Sequence, residues 1–298
     1  MVWIPGGVFE MGSDGWYPEE APVHAVEVAA FHIDRFPITN ADFAAFVAET
    51  GYRTVAERAL AEPKYPGVPA ELREPGSMVF QMTSEPVSLS DPWQWWRWLP
   101  GASWRCPTGP GSDSSDLPQH PVVHVTYEDA LAYATWIGKS LPSEAEWEFA
   151  ARGGLAGSTY AWGEDFAPDG CSMANVWIGE FPWQRLPGDP AGTTPVGLFP
   201  ANGFGVFDMI GNVWEWTADC YAPFHLGGEH SCCPAPGPEE SFDPLTPTIP
   251  IPRKVVKGGS FLCAANYCHR YRPGARSAQA IDSSTCHIGF RCVVRGRD

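Results

Sequence analysis

The sequence predicts an α+β protein in which regular elements are short and irregular backbone dominates. Three observations point there. Helix-type apolar spacing behind capping residues occurs in two regions, and strand-type patterns gather towards both ends of the chain. In addition, 31 glycines and 31 prolines are spread through 298 residues, so turns must be frequent. The length allows one large domain or two small ones, but no internal repeat and no sharp break in composition marks a boundary.

Taken in order, residues 2–13 (VWIPGGVFEMGS) read as a short strand and turn, and residues 24–40 (HAVEVAAFHIDRFPITN) alternate like a strand before a helix start. Thr39 with Asp42 forms a capping-box pattern, Phe43, Phe46 and Val47 share one helical face, and Gly51 can end the helix. Residues 61–121 have little periodicity and are rich in Pro, Gly, Trp and Ser; DPWQWWRWLPGASW within them is too aromatic for a linker and reads as an ordered loop packed on the core. The clearest helical region is 125–154. Thr126 and Asp129 cap a first helix with Ala130, Tyr133, Ala134 and Ile137 inward and Gly138 as its stop; Ser143 and Glu146 cap a second that ends at Gly153 and Gly154. Beyond it lie loops and short strands. Residues 226–250 read as a flexible surface excursion, and RKVVKGGSFLC and HIGFRCVVRG read as terminal strands.

Composition narrows the function. A formal net charge of −16 with no basic run argues against nucleic acid as a partner. No run of 18 apolar residues predicts a membrane span, and the first residues lack the basic-then-apolar pattern of a signal peptide. Nine cysteines without framework spacing predict reduced thiols and a cytoplasmic protein. Fourteen tryptophans supply large rigid surfaces for packing or for lining a groove. No nucleophile-elbow, P-loop or dinucleotide fingerprint is present.

Four groups of residues carry chemistry. Asp208, Gly211, Val213 and Glu215 could offer carboxylates and carbonyls to calcium, or form a turn with two solvated acids. Asn175 and Asp189 raise the same question with weaker spacing. Cys220, His225, His230, Cys232 and Cys233 match no zinc spacing and read as incidental, and His120 and His124 read as packed or capping residues. Cys263 and Cys268 stand five positions apart in GGSFLCAANYCHRYRPGARS. Two thiols without carboxylates suit a soft, low-coordinate ion such as copper(I), but a disulfide or two unrelated thiols fit the sequence equally.

Several stretches together (IPGGVFEMGS, HPVVHVTYEDALAYATWIGKSLPSEAEWEFAARGG, GNVWEWTADC, KGGSFLCAANYCHRYRPGARS and HIGFRC) resemble the formylglycine-generating enzymes, also called sulfatase-modifying factors. The resemblance runs nearly end to end. It implies one compact domain over 1–298, low in regular secondary structure, with a formylglycine-generating-enzyme fold related to the C-type lectin fold. It also implies a copper-dependent, dioxygen-using oxidase. Its substrate is a cysteine in a Cys-x-Pro-x-Arg motif of an unfolded or nascent sulfatase, and its product is Cα-formylglycine.

By position, Cys263 and Cys268 resemble the copper(I) ligands, with the substrate thiolate as a third. Ser260, Trp214 and Tyr267 match residues of the oxygen and substrate pocket; Arg270, Arg272 and Arg276 read as structural ion-pair partners. Calcium is implied at Asp208, Gly211, Val213 and Glu215. A first calcium site maps to Asn175, Val176, Asp189 and Ala191, where GDP replaces the usual EDG. Further departures are His287 at a position often held by asparagine, Cys286 as an extra thiol by the cleft, and Ala134 where secretory relatives place the disulfide partner of Cys292. The chain is expected to act as a monomer. The alternatives on the same scaffold are a non-catalytic binding module and a thiol–disulfide oxidoreductase.

Overall fold

Each helix begins where the sequence supplies a cap. The computed structural model describes residues 1–59, 73–225, 237–245 and 250–296. The chain opens with four short strands, β1 (Val2–Ile4), β2 (Gly7–Met11), β3 (His24–Val28) and β4 (Phe31–Ile33), followed by α1 (Asn40–Thr50). At α1 the Thr39 side chain accepts from the Asp42 N–H while Asp42 accepts from the Thr39 N–H, and Gly51 closes the helix in the left-handed region. After α1 come β5 (Gly76–Phe80), β6 (Trp96–Pro100), α2 (Tyr127–Trp136) and α3 (Glu144–Arg152). The capping boxes Thr126/Asp129 and Ser143/Glu146 form as the spacing requires. The remaining strands are β7 (Trp214–Cys220), β8 (Arg253–Lys257), β9 (Arg276–Ala280), β10 (Ile288–Gly289) and β11 (Val293–Arg295).

Two sheets and two hairpin pairs result. β1 and β11 flank β4, joining the two ends of the chain; β10-β7-β8-β9 form a second sheet; β2 pairs with β3 and β5 with β6. The β5–β6 pair departs from the loop reading of residues 61–121. Its strands carry only five residues each and lie in a Pro- and Gly-rich setting, so no alternation stood out. The β9 strand was likewise not visible, because in RSAQA a buried Arg276 is followed by four half-buried small or polar residues, with no apolar alternation. The mixed α+β class and the low content of regular structure hold.

The main core lies between the helices and both sheets. Ala130, Tyr133 and Ala134 of α2 face it as expected, whereas Ile137 caps the helix and is only partly buried. Phe43 stacks on Tyr133 at 5.9 Å and meets Trp104 edge-on at 5.1 Å. A second, smaller core gathers Trp95, Trp177, Phe181, Phe261, Leu262 and Ala264. The segment from 226 to 250 falls largely outside the described residues, with His230, Cys232 and Cys233 in the part not described. Among the described residues no helix is long and apolar enough to cross a membrane.

Buried ion pairs tie the loops to this frame. Arg272 binds Glu20 through both guanidinium nitrogens at 2.6 and 2.8 Å, Arg276 grips Glu144 at 2.8 Å, and Lys257 lies 2.9 Å from Glu148. Arg270 pairs with Glu19. The structural role expected of the three arginines is what these contacts show, and Arg270 has a second neighbour described below.

Candidate active site

The loop after β8 brings the two cysteines together. Gly258 and Gly259 have φ of +95° and +72°, and a Cβ on Gly258 would lie 2.7 Å from the Met209 carbonyl oxygen, so side chains there would break the turn. The chain then makes two tight turns: the Cys263 N–H donates to the Ser260 carbonyl at 2.9 Å and the Cys268 N–H to the Ala264 carbonyl at 2.8 Å. As a result the sulfurs of Cys263 and Cys268 lie 3.2 Å apart. Both are free thiols, because a disulfide requires about 2.05 Å.

The pair lines a cavity of about 310 Å³ that opens to the surface. One wall is a single face of the four-stranded sheet: Ile288, Trp214, Val256, Ser277 and Gln279 come from four different strands and all line it. The opposite wall is aromatic, built by Trp93, Trp95, Trp96 and Phe181. Tyr267 stacks on Phe181 at 4.6 Å and meets Trp95 edge-on at 5.4 Å. Trp93 stands at the rim with 68% of its surface exposed.

Electrostatics separates the two thiols. The hydrogen bond from Cys263, aided by the Arg270 guanidinium, holds Cys268 below the ordinary thiol range. Burial pushes Cys263 well above it. One negative charge therefore sits preferentially on Cys268, with the Cys263 thiol donating to it. Ser260 shares a hydrogen bond with His287 Nδ1 at 3.3 Å and accepts from the Leu262 N–H at 3.2 Å. Burial lowers His287 to about 3, so its imidazole is neutral and can accept a hydrogen bond from the Ser260 hydroxyl. Cys286 accepts from the Phe80 N–H at 3.3 Å, and burial pushes its thiol up to about 12.

The proposed calcium positions behave differently from one another. Asp208 is buried, accepts from the Gly197 N–H at 2.7 Å and is pushed up to about 6 by burial. Glu215 has both oxygens engaged: Arg291 donates to each at 2.7 Å, and Trp147 Nε1 donates at 2.8 Å. Its carboxylate is thus spent on an arginine rather than presented beside Asp208. At the other position, Asn175 Oδ1 and Asp189 Oδ1 are buried and have no hydrogen-bond partner. Their loops are held together: Asn175 Nδ2 donates to the Gly192 carbonyl at 2.9 Å, and Asp189 Oδ2 accepts from the Ile178 N–H at 3.0 Å and pairs with Arg185 at 2.9 Å, which leaves only Oδ1 free. Two orphaned hard oxygens on adjoining loops are what an oxygen-seeking cation would satisfy.

His124 and His120 have no catalytic setting. His124 is sealed in the core between Ser77 and the Pro107 carbonyl at 2.8 Å each, and His120 contacts Thr193 at 2.9 Å. Cys220 ends β7 beside Lys254 at 3.3 Å, and Cys292 is a buried free thiol. Sequence reasoning missed the aromatic wall as part of the site, along with Ser277, Gln279 and the approach of Arg270 to Cys268. The tryptophan density of residues 91–104 was the available sign of the first; nothing in the sequence marked the others.

Comparison with known proteins decides the family. The model of the sulfatase-modifying factor enzyme 1-like domain matches residues 1–296. The chain belongs to that family. It is 55% identical to a formylglycine-generating enzyme of Mycobacterium tuberculosis over 99% of this chain and 97% of the relative. Identity to the mouse formylglycine-generating enzyme is 42% over 99% of this chain and 74% of the relative. The family also holds proteins named as inactive: a mouse inactive C-alpha-formylglycine-generating enzyme 2 is 38% identical over 98% of this chain and 85% of the relative. Among solved structures, PvdO from Pseudomonas aeruginosa matches with a TM-score of 0.60 at 26% identity, covering 98% of this chain and 92% of that one. CarF matches with a TM-score of 0.54 at 19% identity, covering 100% and 98%, a likeness of fold.

Proposed function

We propose that this protein converts a peptidyl cysteine of a sulfatase, in a Cys-x-Pro-x-Arg motif, to Cα-formylglycine, using copper(I) and dioxygen. The relatives named as formylglycine-generating enzymes support the reaction class, but inactive relatives share the scaffold, so the reading rests on the site. The observation that carries it is the pair of thiols in contact at 3.2 Å within a cavity that opens to the surface.

Two sulfur donors without a carboxylate fit a soft monovalent copper ion. Cys263 and Cys268 would hold it, and when bound it supplies the one-electron chemistry through which dioxygen can be reduced. The balance is one cysteine, one dioxygen, two electrons and two protons giving one aldehyde, one hydrogen sulfide and one water, with the electrons drawn from an external thiol reductant. The chain's own contribution is positional and electrostatic. Cys268, beside Arg270, is the thiol of the pair that gives up its proton more readily, and Cys263 is almost fully buried. Trp214 and the aromatic wall bound a largely apolar cavity against which the substrate β-carbon can lie. Ser260, hydrogen-bonded to the neutral His287 imidazole, presents a fixed hydroxyl oxygen near the thiols. A structural calcium at Asn175, the Val176 carbonyl, Asp189 and the Ala191 carbonyl is supported by the two orphaned oxygens there, although Asp189 shares its other oxygen with Arg185; at Asp208, Gly211, Val213 and Glu215 the ion would have to share Glu215 with Arg291.

Copper(I) titration tests the metal assignment: about one ion should bind per chain, and Cys263→Ser or Cys268→Ser should each abolish tight binding, since both soft ligands are needed. Tight binding retained in either variant would remove the thiols as the site. The 3.2 Å contact also favours a second reading, a dithiol that closes to a disulfide; that activity would persist with copper and oxygen removed.

A further inference from the structure

Among the described residues, the cavity ends at a sheet edge with no partner strand. In the order β10-β7-β8-β9, β9 is an outer strand, and its Ser277 and Gln279 line the cavity with the thiols. The ladder to β8 fixes which β9 peptide groups point outward. The Ile281 N–H donates to the Pro252 carbonyl at 3.0 Å, one step beyond the Arg253–Ala280 pair. Bonded pairs alternate from there, so Gln279 and Ser277 turn their peptide groups towards β8, and Ala278 turns its N–H and C=O away. Val255, opposite Ala278, agrees: its carbonyl accepts from Thr217 Oγ1 of β7 at 2.9 Å. Among the described residues nothing bonds the outward N–H or C=O of Ala278.

An open edge is a template for a further strand, and strand addition gives a peptide affinity through its main chain while pockets read alternate side chains. We propose that the cysteine-bearing segment of the client docks as an antiparallel strand on the free edge of β9. The inference rests on the functional reading above and specifies how that substrate is held. The client motif has the required period. Its proline lacks an N–H and so must point its nitrogen away from the edge, which puts cysteine and arginine, two residues either side, in the same class. In antiparallel pairing those three stand opposite the Ser277 and Gln279 class and share their face, the face that lines the cavity. The two intervening residues then bond the edge. Parallel addition would turn the cysteine to the face of Ala278 instead.

The test uses a Cys-x-Pro-x-Arg peptide with serine in place of cysteine and single N-methyl groups at successive residues, with binding read by fluorescence anisotropy. N-methylation at either intervening residue should weaken binding at least about tenfold, and at the serine or arginine less than about twofold, because only the former faces the edge. Ala278→Pro removes the outward N–H while sparing the β8–β9 ladder, and should weaken the unmethylated peptide about tenfold. A uniform response to N-methylation, in protein that converts the unmodified cysteine peptide, overturns strand addition and leaves the function standing. Failure to convert the cysteine peptide overturns the function, and the docking mode with it.

Discussion

Replacing Glu215 distinguishes an arginine partner from a calcium ligand. Glu215 and Arg291 are 1% and 0% exposed and pair at 2.7 Å. Glu215→Ala strands a buried guanidinium that keeps only the main-chain carbonyls of Asp34, Phe207 and Asp208. Breaking a buried pair from one side costs about 3–5 kcal/mol; the three carbonyls solvate part of the charge, which places Glu215→Ala near 3 kcal/mol, at the lower end of that range. Arg291→Met leaves a buried carboxylate with the Trp147 indole as its remaining donor, so about 4 kcal/mol is expected. The double variant removes both charges and should cost well below the sum, with a coupling of at least about 2 kcal/mol. Urea denaturation at neutral pH, with and without calcium, measures all three. Additive costs, or a Glu215→Ala penalty below about 1 kcal/mol, would refute the pairing argument. A penalty that appears only with calcium would make Glu215 a metal ligand.

Two more predictions concern hard oxygens. Burial raises Asp208 to about 6 from 3.8, so the fold favours its protonated form. The penalty is absent below the unfolded value, grows between about pH 4 and 6, and is complete above that. Asp208→Asn should therefore stabilise the protein at pH 7 and be neutral near pH 3 in denaturation curves; destabilisation at pH 7 would contradict the assignment. At the other position, chelating calcium should lower the melting temperature of the wild type and leave Asn175→Ala unchanged. Saturation to 100 times the dissociation constant is worth about 2.7 kcal/mol, and an equal shift in both proteins would exclude Asn175 as a ligand.

What the sequence disclosed was local. Thr39 with Asp42, Thr126 with Asp129, and Ser143 with Glu146 announce their helices because each motif closes within one turn. The cysteines could be found but not interpreted: their spacing fits three geometries, and the choice depends on the turns set by Gly258, Gly259 and Ala264. The cavity wall depends on residues from four strands spread between Trp214 and Ile288, including a parallel β7–β10 pairing that no local pattern encodes. Glu215 reads as a carboxylate open to an ion until Arg291, 76 residues away, takes both of its oxygens. Orphaned oxygens and filled carboxylates are properties of packing, and residue types alone do not show them.

The most direct measurement is the mass of a Cys-x-Pro-x-Arg peptide after incubation in air with copper-loaded protein and a thiol reductant. Exchange of hydrogen sulfide for one oxygen lowers the mass by about 18 daltons, whereas ordinary thiol oxidation adds oxygen. The account predicts that loss with wild type and none with Cys263→Ser or Cys268→Ser; an unchanged peptide in the presence of fully loaded wild type would contradict it.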